Sequence, residues 1–223
     1  MRARRAVAAL AAALLLVGAA PAAAGDPPPE GACTLGLDLP EKIVRTGPRQ
    51  AVVVTLRDPC GVTHRSEFVV EGPGSASYEV LFGPQPDGTG QRFVVDSSWP
   101  AGTYVSRLVE ALGPVVLPLE DRAVVKFGSR ASLTASRSGS RVLLRTCLAV
   151  YSDRASRWLS WTSARSTLQQ QRRDGTWAYV GTTASDARGC STRAVENRYQ
   201  GTYRAVSWDT YRVFGRTTPS ARA

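Results

Sequence analysis

Beyond residue 30 the 223-residue chain holds no long run of apolar residues at helical spacing. It carries short runs rich in Val, Thr, Tyr and Phe, cut by Gly, Pro, Asp and Ser. Val52, Val54 and Leu56 alternate with Val53, Thr55 and Arg57, the period of two that sends successive side chains to opposite faces of a strand. Comparable runs occupy 68–70, 78–82, 92–95 and 104–109, then 131–135, 142–151, 158–161, 167–172, 177–182, 191–195 and 202–208. Short strands recurring about every 8–12 residues with turn signals between them predict an all-β sandwich or barrel. Asp174-Gly175, between two of these runs, is a hairpin signal.

The first 24 residues follow a different logic. Arg2, Arg4 and Arg5 precede an apolar run over 6–17, and small residues follow at 22–25, the layout of a cleavable export signal. Twelve apolar residues fall short of the roughly 20 that span a bilayer. No later stretch approaches that length, so a mature product without a transmembrane segment is expected. Residues 25–30 form a Pro-rich lead-in that cannot be helix.

Export determines how the four cysteines read. In an oxidising compartment an even count predicts two disulfides rather than a metal site, and neither a CxxC nor a Cys–His spacing occurs. Three connectivities are open. The sequential one, Cys33 with Cys60 and Cys147 with Cys190, gives each half one bridge, worth roughly 3–4 kcal/mol in the chain-entropy model.

An internal echo suggests two related units. Gly102-Thr103-Tyr104 returns as Gly201-Thr202-Tyr203, the tyrosines 99 residues apart, about the length of one immunoglobulin-like sandwich. Tyr104 and Tyr203 fit a tyrosine corner, with the ring in the core and the hydroxyl bonded to nearby backbone. The expected division is a first immunoglobulin-like domain over 31–127 and a second, basic one over 128–223. The second half carries Leu168-Gln169-Gln170-Gln171-Arg172-Arg173, Gly175-Thr176-Trp177-Ala178-Tyr179-Val180, Asp186-Ala187-Arg188-Gly189 and Tyr203-Arg204-Ala205 in order. This series resembles the bacterial immunoglobulin-like (fibronectin type III/Ig-like) repeats of secreted actinobacterial proteins. The resemblance covers roughly residues 130–218 and implies a β-sandwich of the kind that serves as a stalk or accessory module; the first half resembles the family only through its strand rhythm. Gln170 departs from it by standing where the pattern has an inward aliphatic residue, and Cys147 and Cys190 are additions.

Charge divides the same way. Residues 25–127 hold 9 basic and 13 acidic residues, net −4, whereas 128–223 hold 16 arginines and 5 acids, net +11. Outside a cell such a half attracts anionic cell-wall polymer or acidic polysaccharide. Arg172 and Arg173 interleave with Trp158, Trp161, Trp177, Tyr179 and Trp208, a pattern that also suits stacking on sugar faces. Core packing is the competing account, since aromatics favour strands and one inward Trp is normal in such sandwiches. Basic residues among aromatics also suit single-stranded nucleic acid, but export argues against that partner.

Catalytic residues are not expected. His64 is the one imidazole, and its neighbours Ser66 and Glu67 alternate faces on a strand rather than converge. The carboxylates at Asp38 and Glu41 and at Glu120 and Asp121 read as loop residues, and no Asp-x-Asp run suggests calcium. No metal or cofactor is implied. The sequence therefore predicts a secreted, non-catalytic protein with a structural, adhesive or accessory binding role at the cell envelope. Carbohydrate binding through the second half's aromatics and electrostatic docking on anionic polymer are the alternatives.

Overall fold

Leu35 and Leu37 alternate with Thr34, Gly36 and Asp38 and open the first strand, β1 (Cys33–Asp38). The computed structural model describes residues 33–57, 66–82, 91–111 and 116–223, leaving aside the side chains of Cys33, Phe82, Val116 and Leu117. The export signal, the lead-in, Cys60 and His64 lie outside those residues.

The described elements are strands and one short 3-10 turn. β3 (Arg49–Arg57) and β6 (Gln91–Asp96) pair antiparallel, β3 pairs β1, and β8 (Val116–Leu119) runs parallel to β1. The facing sheet has the order β2 (Lys42–Arg45), β9 (Asp121–Phe127), β7 (Gly102–Ala111), β4 (Ser66–Glu71), β5 (Ser77–Phe82). β1 and β8 lie side by side in one sheet, and their continuations β2 and β9 lie side by side in the other. The two segments change sheets together, and Asp121 clamps the crossing by accepting the Leu39 N–H at 2.7 Å.

One core joins these sheets. Leu35, Leu37, Val52, Val54 and Val95 from the first meet Ile43, Phe68, Val70, Tyr104, Ala123 and Val125 from the second. Trp99, 1% exposed, stacks on Tyr78 at 3.6 Å, on Tyr104 at 4.8 Å and on Phe93 at 5.1 Å between ring centroids. Tyr104 is fully buried and donates to the Pro100 carbonyl at 2.9 Å. Gly72 lies flat against this ring, where any Cβ would come within 2.0 Å of Tyr104 Cε1.

A second pair of sheets follows. β11 (Arg141–Ser152) takes β10 (Ser129–Ser138) on one edge. Its other edge is shared by β15 (Cys190–Glu196) and β12 (Arg157–Ser160). The facing sheet has the order β14 (Trp177–Ala184), β13 (Arg165–Gln171), β16 (Thr202–Ser207), β17 (Ala221–Arg222). Its core is smaller: Val142, Leu144, Leu168, Tyr203 and Ala205, with Leu133, Val180 and Val195 packed against them. Tyr203 is fully buried, but its hydroxyl accepts from the Asn197 side chain at 2.6 Å rather than donating to backbone. The chain is thus all-β, built as immunoglobulin-like sandwiches.

Cys147 and Cys190 face each other across the β11–β15 register, 4.1 Å apart at Cα, and are joined as a disulfide. The bond ties neighbouring strands of one sheet rather than bridging the two sheets. The pairing of Cys33 with Cys60 lies outside the described residues. Every strand foreseen from alternation is present, and β1, β2, β8, β9 and β17 are additional.

Gly128, between β9 and β10, is no exposed linker. It is buried, and a Cβ there would meet Thr46 Cγ2 at 2.7 Å and Val44 Cγ1 at 3.1 Å. Its N–H donates to the Arg45 carbonyl at 2.7 Å and its carbonyl accepts from Tyr151 N–H at 3.1 Å. Residues 31–223 form one compact body.

Candidate functional site

Two regions hold the polar and aromatic groups not consumed by the cores. The first is the junction at Gly128. The segment after β16 returns to it: Phe127 N–H donates to the Arg212 carbonyl at 2.8 Å, and Phe214 N–H to the Phe127 carbonyl at 3.0 Å. Arg45, 1% exposed at its side chain, donates through Nη1 to the Trp99 carbonyl at 2.9 Å and meets Asp153 Oδ1 through Nη2 at 2.6 Å. Its guanidinium also sits 5.2 Å over the Phe127 ring, and Arg212 lies 5.6 Å from the same ring. Burial pushes the Asp153 carboxyl above the usual carboxylate range, although Arg45 pulls the other way. A cleft of about 530 Å³ opens beside this pair, with Trp99, Phe127, Tyr211 and Arg212 in its walls. Removing one partner of a buried pair typically costs about 3–5 kcal/mol, because the other charge is left buried and unpaired.

The second region is the outer face of the β14–β13–β16–β17 sheet. Leu168, Tyr203 and Ala205 point inward, which turns their neighbours out. Pairing then sets Tyr179 beside Gln169 beside Arg204, Trp177 beside Gln171, and Thr182 beside Thr167 beside Val206. A register shift between Leu168 and Gln169 keeps Tyr179 on the outer side. Trp208 continues this face past β16, its backbone N–H donating to the Arg165 carbonyl at 3.0 Å. Tyr179 is 67% exposed and Trp208 43%.

Side-chain bonds hold the face in shape. Arg204 lies 4.1 Å over the Trp177 ring while its Nε donates to Gln169 Oε1 at 2.7 Å. Arg165 lies 5.6 Å over Trp208, whose indole N–H donates to Thr167 Oγ1 at 2.9 Å. Arg172 and Arg173 are exposed at the β13–β14 turn, where Arg172 N–H donates to the Thr176 carbonyl at 2.7 Å. Gly175 adopts φ 84° there, which Gly reaches without a Cβ penalty.

The five aromatics named from sequence therefore separate. Trp177, Tyr179 and Trp208 share one face, with Arg172 and Arg173 at its end. Trp158 sits in the other sheet, edge-on to Tyr151 at 5.8 Å with Arg130 4.1 Å over its ring. Trp161 follows β12, half-buried, its N–H donating to the Leu148 carbonyl at 3.0 Å. Three of these indoles thus carry an arginine of this chain on their rings, so much of the Arg–aromatic interleaving is internal cation–π pairing. Gln170 points inward beside Val180 and Arg193, half-buried at the rim where β14 meets β15. The inward indole of the first core, Trp99, was not among the sequence candidates. It sits in a turn, its N–H bonded to the Asp96 carbonyl at 3.1 Å, where strand alternation gives no signal.

Three of the four paired carboxylates contact other groups of the chain. Asp38 binds Arg57 at 2.7 Å, Glu120 lies 3.5 Å from Arg107, and Asp121 clamps Leu39. Among the described residues no group of three or more His, Cys, Asp or Glu side chains is placed to hold a metal ion, and no helix is long and apolar enough to cross a membrane.

No family model and no curated protein matches the chain. Trypsin-activated α2-macroglobulin of Escherichia coli is similar at 11% identity and TM-score 0.31, over 86% of this chain and 15% of that one. The BSP domain of a biofilm-associated protein is similar at 9% identity and TM-score 0.30, over 84% of this chain and 29% of that one. The D0–D1 domains of intimin are similar at 11% identity and TM-score 0.28, over 84% of this chain and 96% of theirs. The chain spans less than a third of the first two, and likenesses this distant bear on no functional conclusion; the immunoglobulin-like assignment rests on the sheets and cores themselves.

Proposed function

We propose that the mature protein is an exported, non-catalytic bacterial module of two tandem immunoglobulin-like sandwiches, 31–127 and 128–223, with a structural or adhesive role at the cell envelope. The observation that carries this reading is the buried junction. The buried Arg45–Asp153 pair and the return of 208–218 onto Phe127 suit a rigid spacer rather than two beads on a string. The Cys147–Cys190 disulfide supports an oxidising compartment. Export rests on the N-terminal sequence pattern.

A second reading is favoured by a different observation. Trp177, Tyr179 and Trp208 share one exposed sheet face, which suits carbohydrate binding by the second sandwich. The test is co-sedimentation of mature protein with purified cell-envelope material across a salt series, run beside a broad polymer-hydrolysis screen. Salt-reversible retention without hydrolysis is expected. Hydrolysis of any polymer would overturn the non-catalytic reading, and absence of retention would overturn the envelope role.

A further inference from the structure

The second sandwich carries sixteen arginines and five acids, and the structure accounts for each acid. Asp153 is spent on Arg45 and Asp209 on Lys126 at 3.6 Å, both partners belonging to the first sandwich. Glu196 pairs with Arg141 at 2.7 Å. Asp174 accepts from the N–H and hydroxyl of Thr176, and Asp186 from the N–H groups of Arg188 and Cys190. Among the described residues Arg141 alone of the sixteen has an ion pair. The second sandwich thus keeps an excess of positive charge that its own acids do not neutralise.

That charge meets the aromatic face of the β14–β13–β16–β17 sheet. Its outward positions hold Arg165, Arg204 and Arg222 together with Tyr179 and Trp208, and no Asp or Glu stands at any outward position of its four strands. Gln169 beside Tyr179 and Gln171 beside Trp177 add amide groups, Gln169 Oε1 accepting from Arg204 and Gln171 Nε2 donating to the Gly175 carbonyl at 3.3 Å. Apolar rings for sugar faces, planar guanidinium forks for carboxylates and amides for hydroxyls are the complement of one ligand chemistry. A neutral glycan would leave the guanidinium charges without a counter-anion, and a simple polyanion would leave the rings unused.

We propose, resting on the carbohydrate-binding reading above, that this face binds an acidic polysaccharide whose sugar units bear carboxylates. The glycan lies across the strands, its rings on Tyr179 and Trp208 and its carboxylates on Arg165 and Arg204. Both arginines already hover over indoles, so the anion meets guanidinium groups held in place.

The test uses the full mature protein with polygalacturonate, a neutral β-glucan and polyphosphate as probes, read by calorimetry or affinity electrophoresis. Polygalacturonate is expected to bind at least tenfold tighter than the glucan. Tyr179→Ala should weaken it at least fivefold, and Arg165→Gln with Arg204→Gln at least tenfold, with a salt dependence shallower by about two counterions. Arg145→Gln, exposed on the opposite sheet, is the matched control and should change affinity less than twofold. Near-UV circular dichroism verifies that each variant is folded. Equal binding of glucan and polygalacturonate would overturn the proposal, as would face variants no weaker than Arg145→Gln. Polyphosphate bound as tightly as polygalacturonate, with Tyr179→Ala silent, would overturn it in favour of charge alone. If envelope retention survives the face variants, the envelope role stands and this assignment falls; if retention is absent altogether, both fall.

Discussion

The two sandwiches reach stability by different means. Among the described residues the core cluster of the first holds fourteen buried residues, with Trp99 stacked on Tyr78, Phe93 and Tyr104, whereas the core cluster of the second holds five. The second has a cross-strand disulfide, turns held by Asp174 and Asp186, and arginines laid over its surface indoles. A small core buries too little apolar surface to offset chain entropy unaided, and a covalent tie lowers the entropy of the unfolded chain. The difference fits a division of labour. The first sandwich keeps its aromatics inside as scaffold, and the second keeps Tyr179 and Trp208 outside, where a ligand can reach them.

The sharpest way to break this contrast is Trp99→Ala. It removes the centre of the aromatic stack and should destabilise the first sandwich by up to about 5 kcal/mol, read from urea unfolding. Removing the disulfide with Cys147→Ser and Cys190→Ser is next. The bridge spans a sequence separation of 43 residues. Its loss should cost about 4 kcal/mol, with the β11–β15 region losing protection first. A loss confined below 1 kcal/mol would show that the small core suffices.

The paired tyrosines give a finer test. Tyr104→Phe strands the Pro100 carbonyl and should cost about 1 kcal/mol. Tyr203→Phe frees an Asn197 amide that reaches solvent and should cost less, so double-jump unfolding should rank them in that order.

The smallest effect is the response to acid. The Thr176 hydroxyl holds Asp174 low, the Cys190 N–H holds Asp186 low, and the Arg141 guanidinium holds Glu196 low. Their stabilisation is fully present above the ordinary values of 3.8 and 4.5, and is lost as pH falls below them through the depressed folded values. In the first sandwich only Asp96, held by the Ser98 hydroxyl, behaves this way among the described residues. Asp153 has the opposite sign, since protonation relieves the cost of its burial. Urea midpoints between pH 6 and about pH 3 should therefore fall more for the second sandwich than for the first.

Much of the fold was legible in the sequence, because half-buried strands must alternate. Val52, Val54 and Leu56 display this, as do the runs that became β10 through β16. β2 and β8 were harder to see, being four residues long, too short for alternation to stand out. β1 and β9 do alternate, at Leu35 and Leu37 and at Ala123 and Val125, but they lie beside Pro and acidic residues that resemble loop. The parallel pairing of β1 with β8 and of β2 with β9 comes from a sheet crossing that no local pattern encodes. The candidate face was partly legible. Trp177 and Tyr179 stand two apart on one strand, while Trp208 joins them only through the β13–β16 register. That Trp158 and Trp161 belong elsewhere was hidden for the same reason. The junction was invisible, since Arg45 and Asp153 are 108 positions apart and nothing local marks either as buried.

The contacts at Gly128 make the two sandwiches a single rigid body if they persist in solution. Hydrogen exchange on the mature chain, read at the junction amides of Phe127, Gly128, Tyr151 and Phe214, tests it most directly. Protection at these four is expected to be comparable to that of the central-strand amides of Val70 and Val105. Exchange as fast as in the turn over residues 172–176 would mean that the halves move independently, and would contradict it.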